Sequence, residues 1–445
     1  MKRSFRTKLA SVSLAALMLT ATFSGCGQSG SGTGTDASAN ASGTADKTVT
    51  LQTIMWGEKA RWDAQKEVDQ AFTKKYPNIK VNLITVADGN DYWTKLQTMV
   101  AGGTPPDLAF QNEQGTPTYV AKDFMEDLTD YMAKDKTFQK DWIAANNYAP
   151  FTVNGKIYAI PTMTFSDVLF YNKTMFDNAK VPYPDDSWDW NKLRDVAKKL
   201  TVDTNKDGKI DQYGYAVNAY PNYIYSFIWA NGGDIISADR KTSVLNSSQN
   251  VETFQFLHDL IWKDKVAPSP EINKDKMFSF ASGKVAMYIS GSWNVSTFDL
   301  NKLNYGISLS PKAPTGKRIT NEYPNGWFIV KQSKNKDSAW KYLAYNASNE
   351  GQTIVAKGKV GIPTNTEIGK TDAYLKSSST PGLDLNVTLQ ALALSRQVNT
   401  SSNMSEIESN IWPEFDEIWT KSDANVKSVL DDMQPKLQAE LAKQP

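Results

Sequence analysis

The sequence predicts an α/β protein made of two lobes. About 400 of the 445 residues follow the last low-complexity stretch, a length that exceeds one hydrophobic core and suits two lobes of about 150–200 residues. The beginning of this part alternates strand-like and helix-like segments, which is typical of a parallel sheet covered by helices. It contains no cysteine, so its fold does not depend on disulfide bonds.

The amino terminus has the layout of a secretory signal peptide. Basic residues precede a serine-interrupted apolar run at 9–23, which is shorter than the roughly 20 apolar residues that span a bilayer. The basic residues are Lys2, Arg3, Arg6 and Lys8. Cys26, the single cysteine, ends a segment that resembles a bacterial lipobox, with Phe23 in place of the more usual Leu. We predict that residues 1–25 are removed and that fatty acids such as palmitate anchor Cys26; a spare cysteine in an ordinary signal peptide is the alternative.

Residues 26–47 form a predicted tether between this anchor and the folded part. They are mostly Gly, Ser, Thr, Ala and Asp, which cannot bury enough apolar surface to fold. Without residues 1–25, the chain keeps 45 Lys and Arg against 48 Asp and Glu. This balance lacks the basic excess of a nucleic-acid-binding protein, so we expect no nucleic acid partner.

The folded part begins with a β/α alternation. Apolar periodicity predicts a strand at 49–55, a helix through Ala64, Val68 and Phe72 that ends before Pro77, a strand at 79–83, a helix at 92–100 and a strand at 107–110. Later segments predict helices at 190–200, 251–262 and 337–348, and strands at 168–171, 285–289 and 327–330.

Aromatic and amide residues follow several predicted strands, where ligands of open parallel sheets bind. Rings suit the C–H faces of a sugar, and planar amides and carboxylates suit its hydroxyls, so the pattern favours carbohydrate binding. Packing in the core or in a lid is the alternative for each ring. The residues are Trp56, Gly57 and Glu58, then Gln111, Asn112 and Glu113, then Trp229, Gly232, Gly233 and Asp234, then Gly291, Ser292 and Trp293, and finally Gly326 and Trp327. Trp62 and Trp340 lie on predicted helices, where we expect them to pack.

Several longer segments occur in a specific order and spacing. They are 53–58 (TIMWGE), 72–81 (FTKKYPNIKV), 102–107 (GGTPPD), 155–161 (GKIYAIP), 169–173 (LFYNK), 282–287 (SGKVAM) and 291–293 (GSW). Together with the lipobox at Cys26, they make the chain similar to the extracellular solute-binding proteins of family 1. These are the lipoprotein receptors of bacterial carbohydrate ABC importers, and the layout resembles that of maltose- and multiple-sugar-binding proteins.

The resemblance implies the two-lobed fold of periplasmic binding proteins, with hinge crossings and a ligand cleft between the lobes. Lobe one would comprise 48–162 and 325–373, and lobe two 163–324 and 374–445. The resemblance also implies a monomer, lipid-anchored at the extracellular face of the cell membrane, that captures a sugar or oligosaccharide by hinge closure and delivers it to ABC permease subunits. By position, it implies ligand contacts at Trp56, Glu58, Gln111, Asn112, Asp167, Trp229, Trp293, Trp327 and Arg396.

Residues 203–211 (DTNKDGKID) match the start of an EF-hand-type calcium loop. Oxygen ligands at its first, third, fifth and ninth positions, with Gly at the sixth, suit a hard cation. The twelfth position is Gly214 instead of the usual bidentate Glu. The predicted metal-site residues are Asp203, Asn205, Asp207, Lys209 and Asp211. A structural Ca²⁺ site and a metal-free Asx/Gly turn are both open at this point.

The sequence gives little support to an enzyme. Its single histidine, His258, lies at helical spacing from Phe254 and Ile261, where we expect a structural role. No Gly-x-Ser-x-Gly elbow and no phosphate-binding loop of the Gly-x4-Gly-Lys-Ser/Thr type occurs. Carboxylate pairs are frequent in the chain and leave a secreted glycoside hydrolase as one alternative to a transport receptor. The pair of Asp185 and Asp186 follows Pro184 in a turn, where we expect it to be solvated. A passive surface adhesin is the other alternative.

Overall fold

The computed structural model describes residues 48–87 and 89–443. Cys26, the predicted signal peptide and the whole of the structure's first unit, residues 1–46, lie outside the described residues. The strands of the described part are β1 (Val49–Trp56), β2 (Ile79–Val86), β3 (Leu108–Asn112), β4 (Thr152–Val153), β5 (Lys156–Ile157), β6 (Ile160–Thr164), β7 (Asp167–Asn172), β8 (Met287–Gly291), β9 (Tyr305–Ser308), β10 (Thr320–Asn321), β11 (Asn325–Ile329), β12 (Ile362–Pro363) and β13 (Ser395–Arg396).

The helices of the described part are α1 (Lys59–Lys75), α2 (Gly89–Ala101), α3 (Thr116–Ala121), α4 (Thr129–Lys134), α5 (Ala145–Tyr148), α6 (Lys173–Ala179), α7 (Trp190–Leu200), α8 (Pro221–Ala230), α9 (Ser248–Trp262), α10 (Asn294–Leu300), α11 (Lys336–Ala347), α12 (Asn349–Lys357), α13 (Thr366–Gly369), α14 (Asp372–Leu375), α15 (Asn386–Ala393), α16 (Met404–Asn410), α17 (Asp416–Thr420) and α18 (Val426–Leu441). Short 3-10 helices lie at Lys140–Trp142, Ala149–Phe151 and Trp412–Phe415.

The first sheet has six strands in the order β12-β6-β11-β3-β1-β2. Strand β1 pairs in parallel with β2 and β3, and α1 and α2 provide the crossovers, which confirms the predicted βαβαβ order. Strand β11 runs antiparallel between β3 and β6. The expectation of a parallel sheet therefore holds for the first three strands only. Strand β11 follows the strands of the second sheet in the chain and enters between β3 and β6 without the crossover helix that parallel neighbours require.

The second sheet has three strands in the order β8-β7-β9, and both outer strands run antiparallel to β7. The predicted strands at 168–171, 285–289 and 327–330 correspond to β7, β8 and β11 with shifts of one or two residues. We call the part built on the six-stranded sheet lobe one and the part built on the three-stranded sheet lobe two. Each has its own hydrophobic core, around Phe72 and Trp327 in lobe one and around Leu193 and Phe254 in lobe two.

Helix α7 has the predicted bounds, and its sequence explains them. Asp189 precedes the helix, and its carboxylate accepts a hydrogen bond from the backbone N–H of Lys192 at 2.7 Å, which caps the helix. Leu193, Val196 and Leu200 recur at helical spacing and are buried in lobe two. The predicted helices at 251–262 and 337–348 likewise correspond to α9 and α11.

The chain passes between the two sheets at several points, first between β6 and β7 and again between β9 and β11. The predicted lobe boundaries stay a prediction. Ala356 and Ile362 belong to the segment assigned to lobe one, yet they pack in a cluster with Phe170 of β7. No helix among the described residues has the length and apolar character needed to cross a membrane.

Candidate functional site

Three aromatic rings line the edge of lobe one at which β1 ends. Trp56, the last residue of β1, is half-buried, and its ring lies 5.9 Å from that of Trp93 on α2. The Trp93 ring stacks on Tyr119 of α3 at 4.7 Å and 21°. Tyr92 and Phe110 each hold Trp56 from the core side with ring centroids 5.0 Å away. These contacts fix the orientation of the rings.

Lobe two supplies a second aromatic run of Trp293, Tyr223 and Tyr220. The ring of Tyr223 lies 5.9 Å from that of Trp293 and 6.3 Å from that of Tyr220. Gly291 makes room for the indole, because a Cβ atom at this position would lie 1.9 Å from the Trp293 ring. Only glycine at position 291 therefore leaves room for the Trp293 ring in this orientation.

The two lobes touch beside both aromatic runs. Thr297 Oγ1 on α10 donates a hydrogen bond to Glu58 Oε2 at 3.2 Å, and Thr118 Oγ1 on α3 donates to the Ser402 carbonyl at 2.9 Å. Between the lobes lies a cavity of about 230 Å³ whose lining includes Trp56, Glu58 and Trp293. This volume is below the about 300–1,000 Å³ typical of small-molecule sites. A trisaccharide therefore fits there only when the lobes move apart.

Arg61 on α1 forms part of the same cavity. Its guanidinium lies 5.6 Å from the ring of Phe165 and 6.0 Å from that of Phe110. Burial lowers the pKa of Arg61 to about 10, and the charge of Glu58 opposes this shift. Gly57 allows this arrangement. Its φ is +140°, which residues with a side chain rarely adopt, and an added Cβ atom would lie only 2.9 Å from Arg61 Cδ.

Carboxylates from both lobes come together beside Tyr220. Glu113 follows β3 of lobe one and is 3 % exposed, and Glu408 lies on α16, which packs in lobe two. Burial, and then repulsion from Glu408 and Glu322, raises the pKa of Glu113 to about 8 although its own backbone N–H opposes the shift. Burial and the charges of Glu408 and Glu113 also raise the pKa of Tyr220. We call Glu113, Glu408 and Tyr220 the acidic cleft cluster.

Several polar atoms of this region have no hydrogen-bond partner among the described residues. They are Gln111 Oε1, Glu113 Oε2, Gln114 Nε2, Asn222 Oδ1, the Tyr225 hydroxyl, Asn321 Oδ1 and Glu408 Oε1. An unsatisfied buried polar group costs about 1–3 kcal/mol. A ligand with many hydroxyl groups can form the missing hydrogen bonds, because each hydroxyl both donates and accepts.

Glu322 fixes the geometry where the lobes join. It follows β10 and is 2 % exposed. Its Oε1 accepts a hydrogen bond from Asn147 at 2.8 Å, and its Oε2 accepts from Asn146 at 2.9 Å and from Ser395 of β13 at 3.2 Å. Burial raises the pKa of Glu322, and the hydrogen bonds from Ser395 and Asn147 oppose the shift. One carboxylate thus connects α5 of lobe one with the β10-β13 pair.

We expect Glu113→Gln to raise the melting temperature at alkaline pH. An unfolded Glu titrates near 4.5 and Glu113 titrates near 8 in the folded state, so its stability contribution is complete below pH 4.5 and is lost as the pH rises through 8. Glu113→Gln removes this loss. Thermal unfolding at about pH 5 and about pH 9 should show a larger advantage of the variant at the higher pH. Exposed Glu406→Gln is the control, and equal shifts at both pH values would contradict the assignment.

Trp327 does not lie at the cleft, which corrects the prediction. Every residue of β11 is buried because the strand lies between β3 and β6 in the centre of the sheet. The Trp327 side chain is fully buried, with its ring 5.2 Å from Phe110 and 5.8 Å from Tyr342. It is therefore a core residue of lobe one and offers no face to a ligand.

Asp167 is fully buried in this conformation, and its predicted ligand contact stays a prediction. Its carboxylate accepts hydrogen bonds from Ser226 and, at 3.1 Å, from the Tyr323 hydroxyl. Burial raises the pKa of Asp167 to about 7, and these hydrogen bonds oppose the shift. The Tyr323 ring meets Trp293 edge-on at 5.0 Å. Asp167 therefore supports the position of Trp293 through Tyr323.

Trp229 and Arg396 contact each other, which leaves Trp229 without a free face for a sugar. Trp229 is 2 % exposed, and the Arg396 guanidinium lies 4.4 Å from the centre of its ring. Asp234 holds both, because it accepts from Trp229 Nε1 at 3.0 Å and forms an ion pair with Arg396 at 2.7 Å. The ring of Trp229 is covered by Arg396 in this conformation, so the predicted ligand contacts of both residues stay predictions. Arg396 is half-exposed.

Gln111 and Asn112 take different positions at the end of β3. Gln111 is fully buried, and its Nε2 donates to Thr116 Oγ1 at 2.8 Å while its Oε1 has no partner among the described side chains and backbone. Asn112 is half-buried and pairs with Asn325 in the sheet. Of the predicted contacts, the structure brings Trp56, Glu58 and Trp293 to one cavity.

The acidic cleft cluster was only partly visible in the sequence. Glu113 stands directly after β3, a position at which ligands bind. The sequence pattern named it there with Gln111 and Asn112, but the contacts implied by the resemblance did not include it. Tyr220 precedes Pro221 at the start of α8, a helix-start signal that says nothing about the cleft. Glu408 has no local signal, because only the packing of the C-terminal helices on lobe two brings it near Glu113.

The loop at 203–211 forms hydrogen bonds of the Asx type. Asp203 accepts from the backbone N–H groups of Lys206 at 2.7 Å and Gly208 at 2.8 Å, and Asp211 accepts from that of Thr204 at 2.9 Å. Similar bonds join Asn205, Asp207 and Lys209. Within 48–87 and 89–443, no three acidic, His or Cys side chains are grouped so as to hold a metal ion. The hydrogen bonds match the metal-free turn, and Ca²⁺ binding stays a prediction.

The calcium prediction can be tested by thermal unfolding. If the loop holds Ca²⁺ in one lobe, EDTA should lower the melting temperature of the wild type, because a ligand bound only to the folded state stabilises it. Asp207→Ala should then lower the melting temperature in calcium and have little effect in EDTA. A wild-type melting temperature that EDTA leaves unchanged after thorough dialysis would identify a plain turn.

The fold and the cleft define a two-lobed binding protein. The family model of bacterial extracellular solute-binding proteins matches residues 63–353. The chain belongs to this family.

His258, which is buried with Nε2 3.2 Å from the Lys421 carbonyl, has the structural role expected of it.

Curated relatives and solved structures match most of the chain. The galactooligosaccharide-binding protein of Bacillus subtilis is 25 % identical over 384 residues, which cover 85 % of this chain and 84 % of that protein. A maltooligosaccharide ABC transporter solute-binding lipoprotein of Streptococcus pneumoniae is 24 % identical over 376 residues, covering 81 % and 80 %. The structure of an ABC substrate-binding protein from Listeria monocytogenes in complex with cycloalternan superposes with a TM-score of 0.80 at 28 % identity, over 89 % of this chain and 100 % of that one.

Proposed function

We propose that this protein binds an oligosaccharide in the cleft between its lobes and delivers it to the permease subunits of an ABC importer. The observation that carries the proposal is the pair of aromatic runs, one from each lobe, beside buried polar atoms without partners. Aromatic faces and unsatisfied polar groups are the two surfaces that a sugar can cover at once. The relatives named for galactooligosaccharides, maltooligosaccharides and cycloalternan support this ligand class.

The mechanism is capture by closure. The lobes rotate about the crossings near Glu322, so the cleft opens and a sugar enters. On closing, Trp56 and Trp293 approach from opposite lobes, and the contacts of Glu58 with Thr297 and of Thr118 with Ser402 form beside them. The closed form with its sugar is the form that the permease recognises.

A thermal-shift screen tests the ligand class. The mature chain with Cys26→Ser is heated with mono-, di- and trisaccharides of several linkages, because a ligand that binds the folded state stabilises it by RT ln(1 + [L]/Kd). We expect at least one oligosaccharide to raise the melting temperature in proportion to the logarithm of its concentration. No shift with any sugar would contradict the proposal.

A glycoside hydrolase remains the rival for a sugar-binding cleft with two acids. Family membership favours binding without turnover. Prolonged incubation of the mature chain with the sugars that bind, followed by chromatography, separates the two functions. Recovery of intact sugar would support a transport receptor. Hydrolysis that is lost in Glu113→Gln would establish an enzyme.

A lipid anchor at Cys26 accounts for retention of the receptor at the extracellular face of the membrane. We expect Cys26→Ser to release the mature protein into the medium, because the predicted tether at 26–47 has no apolar segment that could replace the acyl chains. Fractionation of cells that express each form measures the effect. Ser24→Ala, which keeps the cysteine, is the control. Retention of the Cys26→Ser form at the membrane would contradict the anchor.

A further inference from the structure

Three passages of the chain between the lobes meet at Glu322. The first passage joins β6 to β7, the second joins β9 to β11 and contains Glu322, and the third joins β12 of the first sheet to α16 in the core of lobe two. The backbone of Glu322 pairs with Ser166 of the first passage, and its N–H donates to the carbonyl of Arg396 in the third passage at 3.1 Å. Glu322 therefore contacts both of the other passages.

The carboxylate of Glu322 adds side-chain bonds to the same passages. Besides the three donors described above, Thr164 Oγ1 at the end of β6 donates to Oε1 at 3.3 Å, and Gln397 Nε2 in the third passage donates to Oε2 at 3.4 Å. Gln397 Nε2 also donates to the Asn146 carbonyl of α5 at 2.8 Å. Donors from lobe one and from the first and third passages thus share one buried acceptor. A satisfied buried network of this kind holds its members rigidly.

We infer that Glu322 is a positioning residue that joins the three passages into one hinge, so that the lobes close on the sugar in a single orientation. Hinge closure depends on a few residues that absorb the backbone rotation. The shared acceptor keeps the passages side by side, because a passage that moved alone would leave its buried donor unpaired. The fraction of the protein in the binding-competent orientation sets the apparent affinity. This inference rests on the proposed function, because it names the residue that controls how the cleft closes.

Glu322→Gln tests the shared acceptor with little change in size. The amide keeps one acceptor oxygen and replaces the other with an NH2 donor, so at least two of the five donors lose their acceptor. Asp69→Asn is the matched control. Asp69 is also a buried carboxylate, but it accepts from Gln65 at 3.2 Å and from Tyr342 at 2.6 Å, both within lobe one. The control should lose stability and leave the hinge unchanged.

A pair of spin labels measures the orientation of the lobes. The mature chain with Cys26→Ser has no cysteine, so Lys95→Cys on α2 and Asn301→Cys after α10 place the only two labels at exposed positions of lobe one and lobe two. Pulsed electron spin resonance without sugar should give a broader distance distribution for Glu322→Gln than for the wild type and for Asp69→Asn. Calorimetry with the best oligosaccharide of the thermal-shift screen should give at least about fivefold weaker binding for Glu322→Gln alone.

The outcomes separate this inference from the proposed function. A distance distribution that Glu322→Gln leaves unchanged, or that Asp69→Asn broadens equally, would overturn the inference whether or not a sugar binds. A broader distribution with unchanged affinity would also overturn it. If Glu322→Gln does not fold, Gln397→Ala decides, because it removes two bonds of the third passage and keeps the carboxylate; an unchanged distribution would then overturn the inference. Absence of binding by every sugar would overturn the proposed function, and the distance distributions would still test the hinge.

Discussion

Trp327→Ala should lower the free energy of unfolding by about 3–5 kcal/mol, the cost of truncating a large aromatic residue in a well-packed core. The fully buried ring contacts Phe110 and Tyr342, and central strand β11 cannot shift to fill the space because it is paired on both sides. Urea unfolding at one pH measures this loss from the transition midpoint and slope.

The same variant should keep its affinity for the sugar, once the titration is made at a temperature at which it is folded. Trp327 is absent from the lining of the cavity that contains Trp56 and Trp293. A strong loss of affinity with little loss of stability would contradict the core assignment and show that Trp327 contacts the ligand.

Trp293→Ala should have the opposite effect and weaken sugar binding by about 2–4 kcal/mol, the range of aromatic residues at the centre of a binding surface. The ring is half-buried, held by Phe165 and Tyr323, and lines the cavity between the lobes. Its exposed part is available to a sugar. Calorimetry with the best ligand of the screen measures the change.

Trp142→Ala is the matched control for this substitution. Trp142 is also half-buried, but it packs on Phe138 away from the cavity. It should lose some stability and no affinity. If Trp293→Ala and Trp142→Ala change affinity equally, Trp293 has no special role in binding.

The contrast between Trp293 and Trp327 explains what the sequence could predict. Both follow a glycine at or near a predicted strand, so their local sequences indicate the same role. Trp293 comes after the end of β8, where the chain turns into α10. Trp327 lies inside β11, whose position in the centre of the sheet depends on pairing with β3 and β6. Strand order is a long-range property, and local periodicity does not contain it.

The predicted elements of the first sheet were accurate for a related reason. Strand β1, helix α1 and strand β2 follow one another in the chain and pack together, so their apolar periodicity reflects local structure. The acidic cleft cluster combines residues 113, 220 and 408, which are distant in the sequence. These residues become neighbours only through the way in which the lobes are joined. Sequence patterns therefore predicted the lobe-one side of the cleft, where β1 ends, better than the acidic cleft cluster.

A crystal structure of the complex with the best-binding oligosaccharide tests the central claim most directly. We expect the sugar between Trp56 and Trp293, with hydroxyl groups bonded to Glu113 and Glu408. Lobe one also has a surface groove of about 760 Å³, whose lining includes Tyr131 and Trp340. A sugar bound in that groove, with none between the lobes, would contradict capture in the cleft.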